Sequence, residues 1–569
     1  DVLVLGAGMA GLHAARLLQA EGLSVRVLEG SPRIGGRVWT AWHVPGHPEL
    51  GASQLGASYG RVLGNARELG VEVIAPKATD MNETRLPPIS FSLGGAPPTV
   101  DWAGSPMNRL VGAERALKPP QLFMHYLLKD DPLGDLSDWQ KPEFAPLDRL
   151  SLRQYLRQRG ASDEALRLIE VSNQAWTLDS ASALDTLRKN HFFVWSARQG
   201  SYVNVKGGTA VLTDAMAASL ARPVETDKVV VSIDAGGEGV EVRCQDGSRY
   251  RARAAICTLP PSILRDLEVR GPVPAAQRRG GARQLYAASV GVFMKPRSAY
   301  WEKDGLPPTT WTDGKVELFI HRPSREDPVG TLYATINGAG VRWANAQSPD
   351  ALRAAVVAAY ERLRPAARGQ LEPGYIHNWA TYPFSRGHIA YFRPGDTTRY
   401  AGLIGQPVGA LHFAGEHLAR VQAGIEGACE SAEASVLAIL EKFGRVNGRR
   451  ERLSISQDAM RRLMAFHWPG NVRQLENTIE RAVAVSDGRS QIDMADLLPE
   501  LSRQEGPLTP AALSLPDAGL DLEAFMASIE RELIQRSLER TGGNKGQAAR
   551  LLNLKRTTLV EKLKRLERP

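Results

Sequence analysis

The chain opens on an unbroken apolar run, Val2–Leu5, that meets Gly6, Gly8 and Gly11, passes into a stretch of helical spacing, and reaches a second apolar run, Val25–Leu28, ending in Glu29. That order reads strand, glycine-rich turn, helix, strand. Further along, Trp102–Trp195 reads as mainly helical, with apolar periodicity over Leu147–Leu168. Ala288–Met294, Val316–Ile320 and Thr331–Asn337 read as strands of a separate sheet. After residue 440 the spacing is helical. Leu475, Ile479, Ala482 and Val483 share one face, and Leu522, Phe525, Met526, Ile529, Leu533 and Ile534 form an amphipathic stripe. Ala548, Ala549 and Leu552 then face inward ahead of Leu559, Leu563 and Leu566.

The first turn carries chemistry. Gly6 permits the tight turn, Gly8 lets backbone approach a pyrophosphate, and Gly11 lets the helix pack closely on its strand. The phosphates would sit at the helix N-terminus, where free N–H groups and the helix dipole favour anions. Glu29 lies where a carboxylate would accept hydrogen bonds from an adenosine ribose.

The sequel Gly35-Gly36-Arg37 separates a flavin from a nicotinamide reading, because here the chain resembles the flavin amine oxidases. The resemblance covers residues 1 to about 440 and continues through Gly51-Ala52-Ser53, Lys206-Gly207-Gly208-Thr209, Val229-Val230-Val231, Ala255–Pro261, His412–His417 and Gln422–Ala428. It implies that Gly36 and Arg37 bear on the phosphates and that the Val230 backbone meets adenine. It places Gly415 and Glu416 near the ribityl and phosphate region. Ile425 would begin a helix whose N–H groups face the flavin pyrimidine ring, where a negative locus is stabilised. The implied reaction is hydride transfer from the carbon beside an amine to the flavin, then hydrolysis of the imine to a carbonyl. It is the reaction of an amine oxidase or dehydrogenase, with O₂ or another electron acceptor.

Several positions depart from that family. Alignment on Tyr391–Gly395 puts Gly387 where monoamine oxidases carry the cysteine coupled to the flavin, so FAD is expected to be noncovalent. His388 and Gly424 fall at the two aromatic walls of the amine cage, which makes simple arylalkylamines poor candidate substrates. Gly291 falls where a lysine commonly holds a water, with Lys295 four residues on along the same strand face. Trp379 matches and would pack by the isoalloxazine. His388 either orients or deprotonates the amine, as its unperturbed pKa allows, or fills the space that the cage left. Lys295, Trp379 and His388 are thus the candidate catalytic residues.

A second signature begins where the first stops. His467–Asn477 resembles the AAA+ lid of sigma-54-dependent transcriptional activators, with Pro469-Gly470 as a helix breaker and Asn471 as a cap. Arg473 matches that family's nucleotide-sensing arginine, yet the chain contains no G-x-x-x-x-G-K-[ST] loop, so the lid has no ATPase core to cover. Gly542–Leu566 resembles the Fis-type helix-turn-helix of the same activators. Asn544 would cap the first helix, Asn553 would take the left-handed turn, and Arg556, Thr557, Thr558 and Lys562 would face the DNA major groove. Lys555, Lys564 and Arg565 would contact phosphates.

Composition trims the alternatives. With 569 residues the chain predicts three or four units. No apolar run reaches the roughly 18 residues of a membrane span. Three widely spaced cysteines predict neither a disulfide framework nor a metal site. The net charge of +8 is concentrated late, with nine Lys/Arg and two acids from Arg540 onward.

The expected fold class is α/β: a Rossmann-like FAD-binding domain (1–75, 201–265, 381–440) and a mixed α/β substrate domain (76–200, 266–380). An all-α C-terminal region follows, made of a lid-like fragment (441–505), a linker (506–520) and a helix-turn-helix (521–569). The expected partners are a small amine and duplex DNA, in a homodimer of a bacterial cytoplasm, with an upstream export signal left open by the start at Asp1. The joint near 435–443 lacks the Pro- or Gly-rich composition of interdomain linkers, so a chimaeric or mis-assembled frame fits better than a natural fusion. The rival reading is a transcriptional regulator whose flavoprotein half senses redox state or ligand.

Overall fold

The computed structural model describes residues 1–74, 88–323 and 327–443, and beyond these separate positions between 454 and 563, including 454–456, 491–497 and 544–552. It divides into compact units at 1–448 and 449–569.

In the first unit, Val2–Leu5 is flanked in parallel register by Val25–Leu28 and Ala254–Cys257, and Leu411–Phe413 completes the order 411–413, 254–257, 2–5, 25–28. Val2–Leu5 is apolar throughout because both its faces are covered. Val2 and Val4 pack with Leu12 and Ala15 of helix Met9–Ala20 and with Val436 and Ile439 of helix Gly424–Lys442. Leu3 and Leu5 pack against Ile233 and Val242 of the sheet that contains Val230–Asp234 and Val240–Cys244.

The second lobe is a six-stranded sheet ordered Leu371–Asn378, Ser289–Pro296, Thr331–Asn337, Leu318–Arg322, Thr309–Thr312, Ile89–Ser92. Val290, Val292, Leu332, Ala334 and Ile336 bury one face under helix Pro349–Leu363 through Leu352, Val356 and Tyr360. Their alternating neighbours Phe293, Tyr333, Thr335, Asn337 and His377 occupy the other face. The strand expected from Val316 begins only at Leu318, since the Glu317 carbonyl accepts the Thr312 N–H and closes the preceding turn. Helices Leu152–Gln158, Asp163–Val171 and Ala183–Gln199 start at Ser151, Ser162 and Ser182, each hydroxyl accepting an N–H of the first turn.

In the second unit, Ser454–Ile455 pairs in parallel with Gln491–Ile492, adding a short strand pair to a region expected to be all helical. Ala459, Leu463, Ala482, Ile492 and Leu497 form one cluster, and Ile534, Ala548, Ala549 and Leu559 another. Leu533, expected on the buried stripe, is 46% exposed, because adjacent helical positions point about 100° apart. Asn544 caps helix Lys545–Leu551, its side-chain oxygen accepting the Gly546 and Gln547 N–H groups. Arg473, Asn553, Lys555, Thr557, Lys564 and Arg565 lie outside the described residues.

Candidate flavin and amine site

The helix Met9–Ala20 begins without a side-chain cap at Gly8 and has no acid in its first turn. Its leading N–H groups therefore point into a space walled by backbone. Gly8 bridges to Gly35, and a Cβ on Gly36 would sit 3.2 Å from the Gly8 Cα. Gly6 (φ +106°) makes the turn, and a Cβ on Gly11 would lie 1.9 Å from the Gly6 carbonyl oxygen. Positive dipole, bare backbone and close helix–strand approach suit a pyrophosphate. Glu29 stands at the end of this turn, 8% exposed, accepting from Ala7 N–H at 2.7 Å and Ser31 N–H at 2.9 Å. Each carboxylate oxygen takes one of these donors and keeps capacity for a ribose hydroxyl. Burial raises its pKa against the pull of those two donors.

Arg37 ties the early and late segments together. It donates to the His388 carbonyl at 2.7 Å and to Glu416 at 3.2 Å, and Glu416 also accepts the Ala390 N–H. Gly415 has φ +142° and no room for a Cβ, which would meet the His417 ring at 2.5 Å. The helix expected from Ile425 begins one residue earlier, at Gly424, again without a side-chain cap at Ala423. Val230 opens its strand at a bulge, where the ladder register shifts between Val230 and Ser232. His417 Nδ1 and Gln422 Oε1, in the segment that joins these features, are buried without a protein partner. Two uncapped helix starts, a glycine cradle and unsatisfied polar atoms fit a large, polar, phosphate-bearing cofactor.

Trp379 is buried, donates to the Leu50 carbonyl at 2.7 Å, and lies 3.4 Å from where a Gly51 Cβ would be. It heads an aromatic cluster with His377 (4.3 Å), Tyr382 (5.6 Å) and Trp39 (6.4 Å), and the Arg33 guanidinium lies 3.7 Å over Trp39.

The other two catalytic candidates each have a partner within the protein. Lys295 is four residues from Gly291, about 13 Å along the strand, and its ammonium is taken up by the Asp327 carboxylate and the Gly330 carbonyl. The space beside Gly291 belongs to Tyr333 instead, whose ring would be 2.5 Å from a Cβ there. His388 does not keep an ordinary imidazole pKa. Burial and then the Arg37 charge push it down to about 4, so it is a poor base for an ammonium. Its Nδ1 faces the Ala287 carbonyl at 3.0 Å, which makes Nδ1 the donor and leaves Nε2 with a lone pair.

Two positions expected at the walls of the amine site are glycine or lie beside one. Gly424 takes φ +61°, and the nearest ring, Phe193, is 3.9 Å from where its Cβ would be. At Gly387 (φ +147°), a Cβ would come within 2.4 Å of the Tyr286 Cβ. Reading residues singly passed over Tyr333, Glu317 and His377. The alternation of Thr331–Asn337 was the available signal for Tyr333; nothing local marked Glu317, which lies outside the strand.

A dinucleotide-type lobe joined at Arg37 and Trp379 to an aromatic-faced sheet defines a flavin-dependent oxidoreductase. The family model described as flavin containing amine oxidoreductase matches residues 9–440, and the chain belongs to that family. Models for the AAA+ ATPase lid domain and for the bacterial regulatory protein, Fis family, match 436–513 and 525–566. Relatives include a flavin-containing amine oxidase of Oncorhynchus mykiss, 24% identical over 474 residues, and the B-type enzyme of Mus musculus, 25% identical over 477. Each alignment covers 78% of this chain and 87% of the relative. Among solved structures, a putrescine oxidase bound to putrescine aligns with TM-score 0.63 and 22% identity. Cyclohexylamine oxidase from Brevibacterium oxydans IH-35A does so with 0.63 and 21%. Both alignments cover 78% of this chain and 99% of that one. The chain is thus a flavin amine oxidase with a C-terminal lid fragment and a Fis-type helix-turn-helix. Among the described residues no helix is long and apolar enough to cross a membrane, and no group of metal-binding side chains occurs.

Proposed function

We propose that residues 1–440 bind FAD noncovalently and oxidise a small amine to an imine, which water converts to a carbonyl. The carrying observation is Gly387, whose backbone conformation and contact with Tyr286 leave no room for a tethering thiol. When bound, the flavin supplies the hydride acceptor. Gly6, Gly8, Gly11, Gly36 and the helix dipole hold the pyrophosphate, Glu29 the ribose, and the Val230 backbone the adenine. Arg37, Gly415, Glu416 and Ile425 border the rest of the cofactor. Trp379 packs beside the ring system and excludes water. His388, neutral, accepts a hydrogen bond at Nε2 from the amine and orients it, while bulk base removes the proton that an ammonium must lose before its carbon can give up hydride. The test is acid precipitation of the yellow holoprotein. All flavin should enter the supernatant as FAD; flavin left in the pellet refutes noncovalent binding.

The lid and helix-turn-helix are proposed as a DNA-binding appendage to an enzyme in a bacterial cytoplasm, acting as a homodimer on duplex DNA. Arg556, Thr558 and Lys562, with Lys555, Thr557, Lys564 and Arg565, would form its DNA surface. Two family matches overlap over 436–440, inside the unbroken helix Gly424–Lys442. That favours a joined reading frame over a linker-connected pair of domains. Genomic sequence across codons 430–445 decides the point. Two separate genes would end the sensor-regulator alternative, and one continuous frame in independent isolates would end the chimaera.

A further inference from the structure

Two stretches of the flavin unit are nearly free of acid. From Gly271 to Tyr300 the chain has no Asp or Glu, and between Glu372 and Glu416 it has only Asp396. The fold packs these stretches together. Helix Ala275–Arg283 turns Gln277 and Gly280 inward: Gln277 Nε2 donates to the Gln406 carbonyl at 2.7 Å, and a Cβ on Gly280 would lie 2.6 Å from Ile404 and 2.9 Å from the Tyr400 ring. Arg278, Arg279 and Ala282 are left on the solvent side, with Arg283 one turn beyond Arg279, about 6 Å along the axis. Helix Thr397–Tyr400 buries Tyr400 and exposes Arg399, whose guanidinium lies 5.2 Å over the Tyr400 ring. Exposed Arg420 reaches the same segment, its Nη2 3.0 Å from where a Gly402 Cβ would be.

The neighbouring acids are already engaged. Asp396 pairs with Arg283 at 2.8 Å, buried Asp148 accepts the N–H groups of Thr397 and Thr398, and Glu430 accepts those of Arg420, Val421 and Gln422. Arg278, Arg279, Arg399 and Arg420 form no ion pair among the described residues. Nor do these elements expose a large aliphatic or aromatic side chain. A protein-binding patch has an apolar or aromatic centre that excludes water. Guanidiniums rising over Gly281 and Ala282 instead suit a phosphate backbone, which arginine recognises through paired N–H donors.

We propose that this arginine surface binds the phosphate backbone of duplex DNA, giving the flavin unit a contact of its own in addition to that of the C-terminal helix-turn-helix. This rests on the DNA-binding reading of residues 525–566. Phosphate contacts carry no base information, and each neutralised phosphate releases a counterion, so the contribution is sequence-independent and falls with salt. Two contacts on one chain make the second binding event intramolecular, and a modest surface then adds to affinity through effective concentration.

The experiment measures binding of the full-length holoprotein to a mixed-sequence duplex by fluorescence anisotropy, between about 50 and 200 mM salt. The combined variant Arg278→Ser, Arg279→Ser, Arg399→Ser should reduce the slope of log K against log salt by about 2–3. The loss should be the same on every duplex sequence, and replacing the same three residues with lysine should preserve the slope. Removing three exposed arginines elsewhere in the unit (Arg222→Ser, Arg362→Ser, Arg368→Ser) should leave it unchanged. Unfolding temperature and flavin content certify the fold of each variant. An unchanged slope in the first variant, or an equal loss in the second, overturns the proposal and leaves the helix-turn-helix reading intact. Failure of the wild-type chain to bind any duplex overturns both.

Discussion

Two glycines of one turn should separate folding from cofactor binding. At Gly11 a methyl group would lie 3.2 Å from Val4 Cγ1 and only 1.9 Å from the Gly6 carbonyl oxygen, the latter more than about 1 Å inside van der Waals contact. Helix Met9–Ala20 would have to retreat from the central strand, loosening the packing of Leu12 and Ala15 on Val2 and Val4. Overpacking of that severity costs roughly 3 kcal/mol or more. At Gly8 the nearest atom to an added methyl is 3.8 Å away and φ is −79°, so Gly8→Ala is tolerated by the protein itself. The loss of a glycine cap costs under about 1 kcal/mol. That methyl points into the opening shared with Gly35 and Gly36, where phosphate must come.

For flavin-stripped protein, Gly11→Ala should lower the unfolding temperature by about 3 °C, given the entropy of unfolding a unit of this size. Gly8→Ala should leave it nearly unchanged. On adding FAD at a hundredfold excess over Kd, wild type should gain about 2.7 kcal/mol, while Gly8→Ala gains little. Differential scanning fluorimetry with and without FAD, together with flavin fluorescence titration, measures both. A Gly8→Ala variant that binds FAD normally, or that is destabilised as much as Gly11→Ala when stripped, would refute the assignment of phosphates to this turn.

Acid should unfold the flavoprotein unit early. Burial holds His377 and His417 at about 3 and His388 and His412 at about 4. These folded values lie below the ordinary value of about 6.5, so the neutral rings contribute stability that is complete above pH 6.5 and lost as pH falls toward 4. Urea midpoints should drop steadily across that window, and a flat profile would contradict it. Without a phosphate-cradling loop, the full chain should show no DNA-stimulated ATP hydrolysis; measurable turnover would overturn the reading of 436–513 as a lid without its engine. In filter-binding assays with duplex DNA, Arg556→Ala should lose roughly 1–3 kcal/mol of discrimination between sites, whereas Lys562→Ala should weaken binding to a chosen site. An affinity independent of salt would argue against a phosphate-contacting surface.

What the sequence determined by itself was the local and repetitive part. The turn at Gly6–Gly11, the strand ending in Glu29, the uncapped start near Ile425 and the Asn544 cap are each set by residues within a few positions of one another, through backbone sterics and helix-end hydrogen bonding that read directly from residue type. The family resemblance supplied the proposed roles of Arg37, Gly387 and Trp379 through motif spacing. Tertiary structure alone decided the electrostatics. His388 lost its proton affinity to burial and to a guanidinium 351 residues earlier in the chain. Lys295 found its counter-ion across a hairpin, and Tyr333 took the space beside Gly291 by strand register. Folding removed Glu317 from water with no ion-pair partner among the described residues, which raises its pKa. A side chain's identity fixes what charge it can carry, but the cost of carrying it depends on solvent exclusion and on neighbours that the chain assembles from hundreds of residues away.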